Sequence, residues 1–436
     1  MPPTTLEQPG VNVAARDIGW RDFFVDTRLE QLIDLALANN RDLRMAVLNI
    51  GRARAEYRIQ RAALLPSIDA TGSFTRGKLP ASSTYGAPNS TSDSFDVGLS
   101  ITSYEVDMFG RVRSLTHAAL ENYVAQVEAR RSAQLSLIAA VAIAYLTLAS
   151  DRELQHLAQE TLESQEHSLT LQQMRHATGT ASGLDLAQSQ TTVEQARADA
   201  ARFEGNVAQD IDALTLLVGT SIDPALLPAE FDSQTMGLEP LPAGVPSAVL
   251  LRRPDVLEAE HTLRAANADI GAARAAFFPD ITLTASLGSA SNQLSNLFKS
   301  GTGTWAFDPL MSLPIFHGGA LLAGLDGAHV NEKIALAQYE KTIQSGFREV
   351  ADALALTATL NRRRAAQENL VEAASRAYKL SQRRYQVGRD SFLEVLDSQR
   401  SDYAARQGLI TTRLAEQSNR VTLYKTLGGG WREETP

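Results

Sequence analysis

The sequence contains no cysteine. Disulfides, thiolate metal sites and cysteine nucleophiles are thereby excluded, and the redox compartment leaves no mark. Proline is missing from two long stretches, between Pro88 and Pro224 and between Pro314 and Pro436. Positive charge is also short. Lys and Arg number 41 against 50 Asp and Glu, a net charge of −9, which argues against a nucleic-acid footprint. No run approaches the roughly 18 consecutive apolar residues that a membrane-spanning helix requires. The most apolar stretch, LSLIAAVAIAYLTLAS at 135–150, is shorter and Ala-rich, as a packed helix is. The opening MPPTTLEQPG has no basic start and no apolar core, so an exported protein would be represented here in trimmed form.

What fills the proline-free stretches is Ala, Leu, Gln, Glu and Arg, all good helix formers. They also match each other. HATGTASGLDLAQSQ (176–190) lies over YQVGRDSFLEVLDSQ (385–399), pairing Gly179 with Gly388, Ser182 with Ser391 and Leu184 with Leu393. Likewise 41–68 lies over 254–281, pairing Asp42 with Asp255 and Pro66 with Pro279, and LTLLVG (214–219) lies over LYKTLG (423–428). The spacing is far too long for a solenoid. The chain is two copies of one domain-sized unit.

Each copy reads as helix, strand, loop, strand, very long helix, tight turn and shorter helix. The boundaries expected are an N-terminal segment at 1–28 and a first repeat at 29–220. That repeat has a helix at 29–64, strands at 67–77 and 94–106, and a helical hairpin at 112–218. A linker at 221–245 follows, then a second repeat at 246–428, with a helix at 246–277, strands at 280–288 and 303–313, and a hairpin at 319–427. A tail at 429–436 ends the chain. The strands stand out by alternation: Phe95, Val97, Leu99 and Ile101 in one, Ile281, Leu283, Ala285 and Leu287 in another. About nine alternating residues suit a half-buried strand of a soluble sheet, and equally a strand crossing an outer-membrane hydrocarbon layer.

Both corners carry turn chemistry. Gly179 and Gly388 suit a left-handed helix C-terminus. Ser182 and Ser391 are N-caps with an acid three places on, Asp185 and Glu394, which predicts a capping box in each. The first long helix would span about 100 Å and its return helix about 55 Å, and the helix ending near Pro66 has the length to fill the difference. Along the last helix Leu393, Leu396, Arg400, Tyr403, Gln407, Ile410, Leu414, Gln417, Val421 and Tyr424 form a heptad seam with three polar members. Four strands cannot close a barrel, since small barrels need about eight. Two copies would supply eight and three would supply twelve.

At this point the residues resemble a family, the trimeric outer-membrane efflux channels of Gram-negative bacteria of the TolC and OprM type. The likeness runs through IGWRDFFVDTRLEQLIDLALANNRDL, YEVDMFGRVR (104–113), LLRRPDV (250–256), RYQVGRDSFLEVLDSQRS and LYKTLGGGW (423–431). The start, YEVDMFGR and LGGGW are similar to the OprM-like lipoprotein branch. The resemblance implies a mainly α fold with a β-barrel part. In a homotrimer, four strands per chain would pool into a 12-stranded transmembrane barrel continuous with an α-helical coiled-coil tunnel in the periplasm. It implies an inner-membrane pump of the RND type and a periplasmic adaptor, the membrane fusion protein, as partners, with outer-membrane lipid around the barrel. The branch also implies a lipidated N-terminal cysteine, a residue this chain lacks.

The function so implied is a passive exit duct of a tripartite pump for drugs or other small toxic compounds, with no cofactor and no metal. The alternative weighed is a soluble or peripheral coiled-coil scaffold. No catalytic constellation is present. HGG (317–319) lacks a nucleophile elbow, GTASG (179–183) does not fit G-x-S-x-G, and the seven His show no H-E-x-x-H spacing. The corners differ in charge: Glu394 and Asp397 stand where the first has Asp185 and Gln188. Locally, Glu394 serves as a capping acid and Asp397 as an i, i+3 partner for Arg400. By resemblance Leu393, Glu394, Asp397 and Arg400 form the periplasmic constriction. Gly179, Thr180, Ala181, Ser182, Gly388, Arg389, Asp390 and Ser391 are the adaptor-contacting tips by the same resemblance.

Overall fold

The computed structural model describes residues 18–79, 90–229 and 251–429. The chain runs α1 (Trp20–Phe23), α2 (Thr27–Asn39), α3 (Arg41–Ala62), β1 (Asp69–Leu79), β2 (Ser90–Glu105), α4 (Arg111–Ala177) and α5 (Gly183–Val218). It continues with α6 (Pro254–Ala275), β3 (Asp280–Ser291), β4 (Gly303–Ser312), α7 (Ala320–Gln386) and α8 (Phe392–Thr426). The segment before residue 18, the loop at 80–89, the linker beyond 229 and the tail beyond 429 lie outside the described residues.

The single helix expected at 29–64 is two. Asn40 sits between them in an extended conformation, φ −60° and ψ 131°. Its Oδ1 accepts from the Leu43 N–H at 2.9 Å, so it caps the helix that follows. Short polar side chains compete with the helix for its own backbone in this way, and average propensity over a window hides it. Of the helix expected from 246, residues 246–250 lie outside the described residues, and α6 begins at Pro254, whose fixed φ suits a first turn and whose missing N–H costs nothing there.

Two compact units form. One is drawn from Met1–Val47, Glu128–Val256 and Thr342–Pro436, the other from Leu48–Val127 and Leu257–Lys341. The first unit holds the main core, in which the 135–150 stretch of α4 is buried along Ile138, Val141, Ala142, Tyr145, Leu148 and Ala149. Against it pack Trp20, Phe23, Leu32, Ile33, Leu214 and Val218. Phe23 stacks on Tyr424 of α8, centroids 3.9 Å apart. The Tyr424 hydroxyl donates to the Ile18 carbonyl at 2.6 Å. Truncating a buried aromatic of this kind costs about 3–5 kcal/mol.

The seam expected along α8 is one of two. Leu396, Ile410, Gln417, Val421 and Tyr424 are buried as that pattern requires, whereas Leu393 and Arg400 at its start are exposed. A second buried line, Asp402, Ala405, Thr412, Glu416, Asn419 and Leu423, faces α7. Asp402 accepts from Ser375, Ala405 O from Gln367, and the Asn419 amide donates to the Ala353 carbonyl at 2.9 Å. Polar side chains off the heptad seam are therefore interior.

The second unit contains one antiparallel sheet in the order β1-β2-β3-β4. Register puts Gly72 opposite Val97 and Phe74 opposite Phe95, and it aligns Leu99, Leu287 and Trp305 across three strands. Ile101, Ala285, Phe307, Leu283, Ile281 and Met311 share that face. It is apolar and largely exposed, Trp305 being 77% accessible. The opposite face carries Thr71, Ser73, Asp96, Ser100, Thr284, Ser286, Thr304 and Asp308. At its centre Gly98 opposes Gly288 so closely that a Cβ on Gly98 would lie 2.6 Å from the Leu287 carbonyl oxygen. Among the described residues, neither β1 nor β4 has a strand on its outer side.

Candidate functional site

Each long helix turns back through the same backbone. At the first corner Gly179 adopts φ 75°, Thr180 N–H donates to Arg175 O at 2.8 Å and Gly179 N–H to His176 O at 2.9 Å. At the second, Gly388 adopts φ 74°, with Arg389 N–H to Arg384 O and Gly388 N–H to Tyr385 O, both at 2.9 Å. These are Schellman closures, in which a left-handed residue satisfies the last carbonyls of the helix.

The caps differ, and here the reading of Glu394 as a capping acid needs correction. Ser182 accepts from Asp185 N–H at 3.1 Å and the Asp185 carboxylate accepts from Ser182 N–H at 3.1 Å, a complete capping box. Ser391 accepts from Glu394 N–H at 3.4 Å without the reciprocal bond. The acid that pairs with a cation at this corner is Asp390, which accepts from Arg384 Nε at 2.6 Å and is held below the usual carboxylate range chiefly by that bond. Of the residues singled out as tips, Gly179, Thr180, Ser182, Gly388, Arg389 and Ser391 are exposed, and Ala181 and Asp390 are half-buried.

The first turns of α8 have two distinct sides. Phe392, Val395 and Leu396 are buried, and Leu393, Glu394, Asp397 and Arg400 are exposed. Leu393, Asp397 and Arg400 follow one another at i, i+4 and i+7, so they share one stripe. The expected Asp397–Arg400 pair does not form, and Asp397 makes no ion pair with any described residue. Its carboxylate stands free on an accessible helix face, beside an apolar Leu393 that is 53% exposed.

Sequence reasoning missed Tyr385. Its hydroxyl accepts from Gln172 Nε2 and from Arg175 Nη1, both at 2.8 Å, and the Arg175 guanidinium lies 5.2 Å from its ring centroid. The ring also packs 5.4 Å from Phe392. One tyrosine thus ties α4 to the α7–α8 corner. The signal was available: Tyr385 replaces His176 of the first copy, and in the first corner that histidine donates locally to Ala181 O at 3.1 Å. The HGG tripeptide is a strand-to-helix junction, with Gly318 and Gly319 both at positive φ. Exposed carboxylate, guanidinium and leucine on one face can sort solutes by charge and bulk, but they assemble no nucleophile and base.

The comparisons agree with this architecture. The sequence profile of the family described as "Outer membrane efflux protein" matches residues 32–220 and again 245–429. The chain is 48% identical over 425 residues to the antibiotic efflux pump outer membrane protein ArpC of Pseudomonas putida, covering 97% of this chain and 87% of that protein. The toluene efflux pump outer membrane protein TtgC of Pseudomonas putida shows the same identity and coverage, 48% over 425 residues, 97% and 87%. The open-state structure of the MtrE outer membrane channel of Neisseria gonorrhoeae superposes with TM-score 0.89 at 40% identity, covering 98% of this chain and 95% of that one. The chain belongs to the outer membrane efflux protein family and is a two-repeat, non-enzymatic transport channel of the Gram-negative outer membrane.

Proposed function

We propose that three copies of the chain pool their sheets into a 12-stranded barrel and form the exit duct of a tripartite efflux pump. The observation that carries this reading is the sheet itself. An exposed apolar face bounded by two unpaired edges is unsuited to water, whereas a closed barrel in lipid satisfies both. Four strands must be multiplied to close. The long hairpins line the tunnel, the corners Gly179–Ser182 and Gly388–Ser391 contact a periplasmic adaptor, and an RND-type inner-membrane pump supplies the cargo. Relatives named for antibiotic and toluene export support small drugs and solvents as the compounds carried.

Leu393, Glu394, Asp397 and Arg400 constrict the tunnel. Threefold symmetry turns each Asp397 into a member of a carboxylate ring, which attracts cations and repels itself. Native mass of the detergent-extracted protein tests the assembly, with three chains expected. A monomer that stays in solution without detergent sinks the reading and leaves a duplicated coiled-coil scaffold. Deleting the gene and profiling sensitivity to drugs and solvents then tests the cargo.

A further inference from the structure

The two repeats end in the same joint, built from different residues. In the first, Gly219 closes α5 with φ 76°, so near the end of α2 that a Cβ would lie 2.6 Å from the Asn39 carbonyl oxygen. Asn40 then donates through Nδ2 to the Leu217 carbonyl at 2.8 Å. In the second, Gly428 closes α8 with φ 78°, against the side chain of Arg253. Arg253 takes the place of Asn40 in the duplication, and Thr426 that of Leu217. Arg253 Nη1 donates to the Thr426 carbonyl at 3.0 Å, the same bond from a different side chain.

The arginine reaches further than the asparagine. It holds Asp255 of α6 with two bonds, at 3.0 and 2.7 Å, and its Nη2 also donates to Glu349 of α7 at 2.8 Å. It is 7% exposed. Room for it comes from Gly346, where a Cβ would lie 3.3 Å from Nη1. The corresponding position on α4 is Leu137, part of the apolar core, and Glu349 corresponds to Ala140. Where the first copy has Asn40, Leu137 and Ala140, the second has Arg253, Gly346 and Glu349. Apolar packing is exchanged for charge-assisted hydrogen bonds. The apolar cluster at the second joint is correspondingly small: Ala353, Leu423 and Leu427, with Val350 against them.

We infer that Arg253 is the positioning residue that anchors α7 to the end of α8, supplementing the small apolar cluster that these two helices share, while Val421 and Tyr424 of α8 pack into the main core. From Thr426 to Asp397 is about 44 Å along α8 at ~1.5 Å per residue, so a few degrees of slack at this anchor displace the exposed stripe by several ångströms. That consequence rests on the stripe being the constriction proposed above. The anchor does not.

Hydrogen exchange on the detergent-extracted protein tests it, using Arg253→Asn, and Arg253→Asn combined with Gly346→Leu, which transplants the first repeat's pair. Arg253→Asn is expected to speed exchange of the amides at 421–428 by about ten-fold and leave those at 214–219 unchanged. The double variant is expected to return to within about three-fold of the parent. Unchanged exchange in the single variant, or a double variant no slower than the single, overturns the inference. If Arg253→Asn fails to assemble, Glu349→Ala removes one bond only, and exchange at 421–428 that stays at the parent's rate overturns it equally. Ionic leak through the channel is recorded on the same proteins. Exchange that follows expectation with an unaltered leak leaves the anchor standing and removes the stripe from the constriction.

Discussion

The Tyr145 hydroxyl donates to the Asp26 carboxylate at 2.8 Å, joining the most apolar part of α4 to the N-cap of α2. Burial alone would raise the Asp26 pKa, but hydrogen bonds from Arg28 and Tyr145 outweigh it and hold the carboxyl below its ordinary range. Tyr145→Phe removes one of those bonds and keeps the ring, at a cost of about 1–2 kcal/mol. Tyr145→Ala also empties the core and costs about 3–5 kcal/mol. Thermal unfolding followed by helical circular dichroism is expected to rank the two in that order, and equal midpoints would show that the hydroxyl carries the whole effect.

A pH dependence is expected where α4 meets α5. Asp210 is pushed up to about 6 by burial and by the neighbouring Asp151 carboxylate, with which it shares a hydrogen bond. Asp151 is likewise raised, chiefly by burial, against opposing contributions from Asn206 and Arg202. A raised folded-state value means that the native protein holds the proton more tightly than the unfolded chain. The stability it contributes is complete below about pH 4 and fades as pH rises through about 6. Melting midpoints are expected to fall between pH 5 and 7.5, and Asp210→Asn is expected to flatten that slope. An Asn variant with the parent's slope would assign the dependence elsewhere.

For the exposed stripe, Asp397→Ala is expected to raise single-channel conductance in planar bilayers or to reduce cation selectivity, since the ring of three negative charges proposed above is lost. Currents unchanged in both respects would remove Asp397 from the gate.

Within the sheet, Gly98→Val is expected to lower the yield of assembled protein several-fold, because its side chain would run into the Leu287 carbonyl on the neighbouring strand. Gly77→Ala, with nothing within 4 Å of the added atom, is the matched control and is expected to assemble normally. The measurement is the fraction migrating as oligomer in unheated gel samples.

Much of this was legible from local chemistry. The corners follow from Gly and Ser at fixed offsets, and the apolar face of the sheet follows from period-two alternation. What stayed hidden depends on a partner distant in sequence. Asn40 interrupts a helix because Leu217 and Leu43 satisfy its amide, and neither bond is visible in a propensity window. The burial of Asp402 and Asn419 lies off the heptad seam and depends on α8 having neighbours on two sides. Glu394 matched a capping motif, but the cap remained half-made. The constriction residues were taken from resemblance, and the side chain that fastens their corner to α4, Tyr385, was not among them.

The unpaired outer edges of β1 and β4 carry a liability from the moment of synthesis. A newly exported chain offers two templates for stray strand addition beside a surface that water rejects, the combination that seeds aggregation. Such a chain has no safe resting form as a solitary molecule. On the trimeric reading proposed above, its handover to lipid coincides with meeting its neighbours.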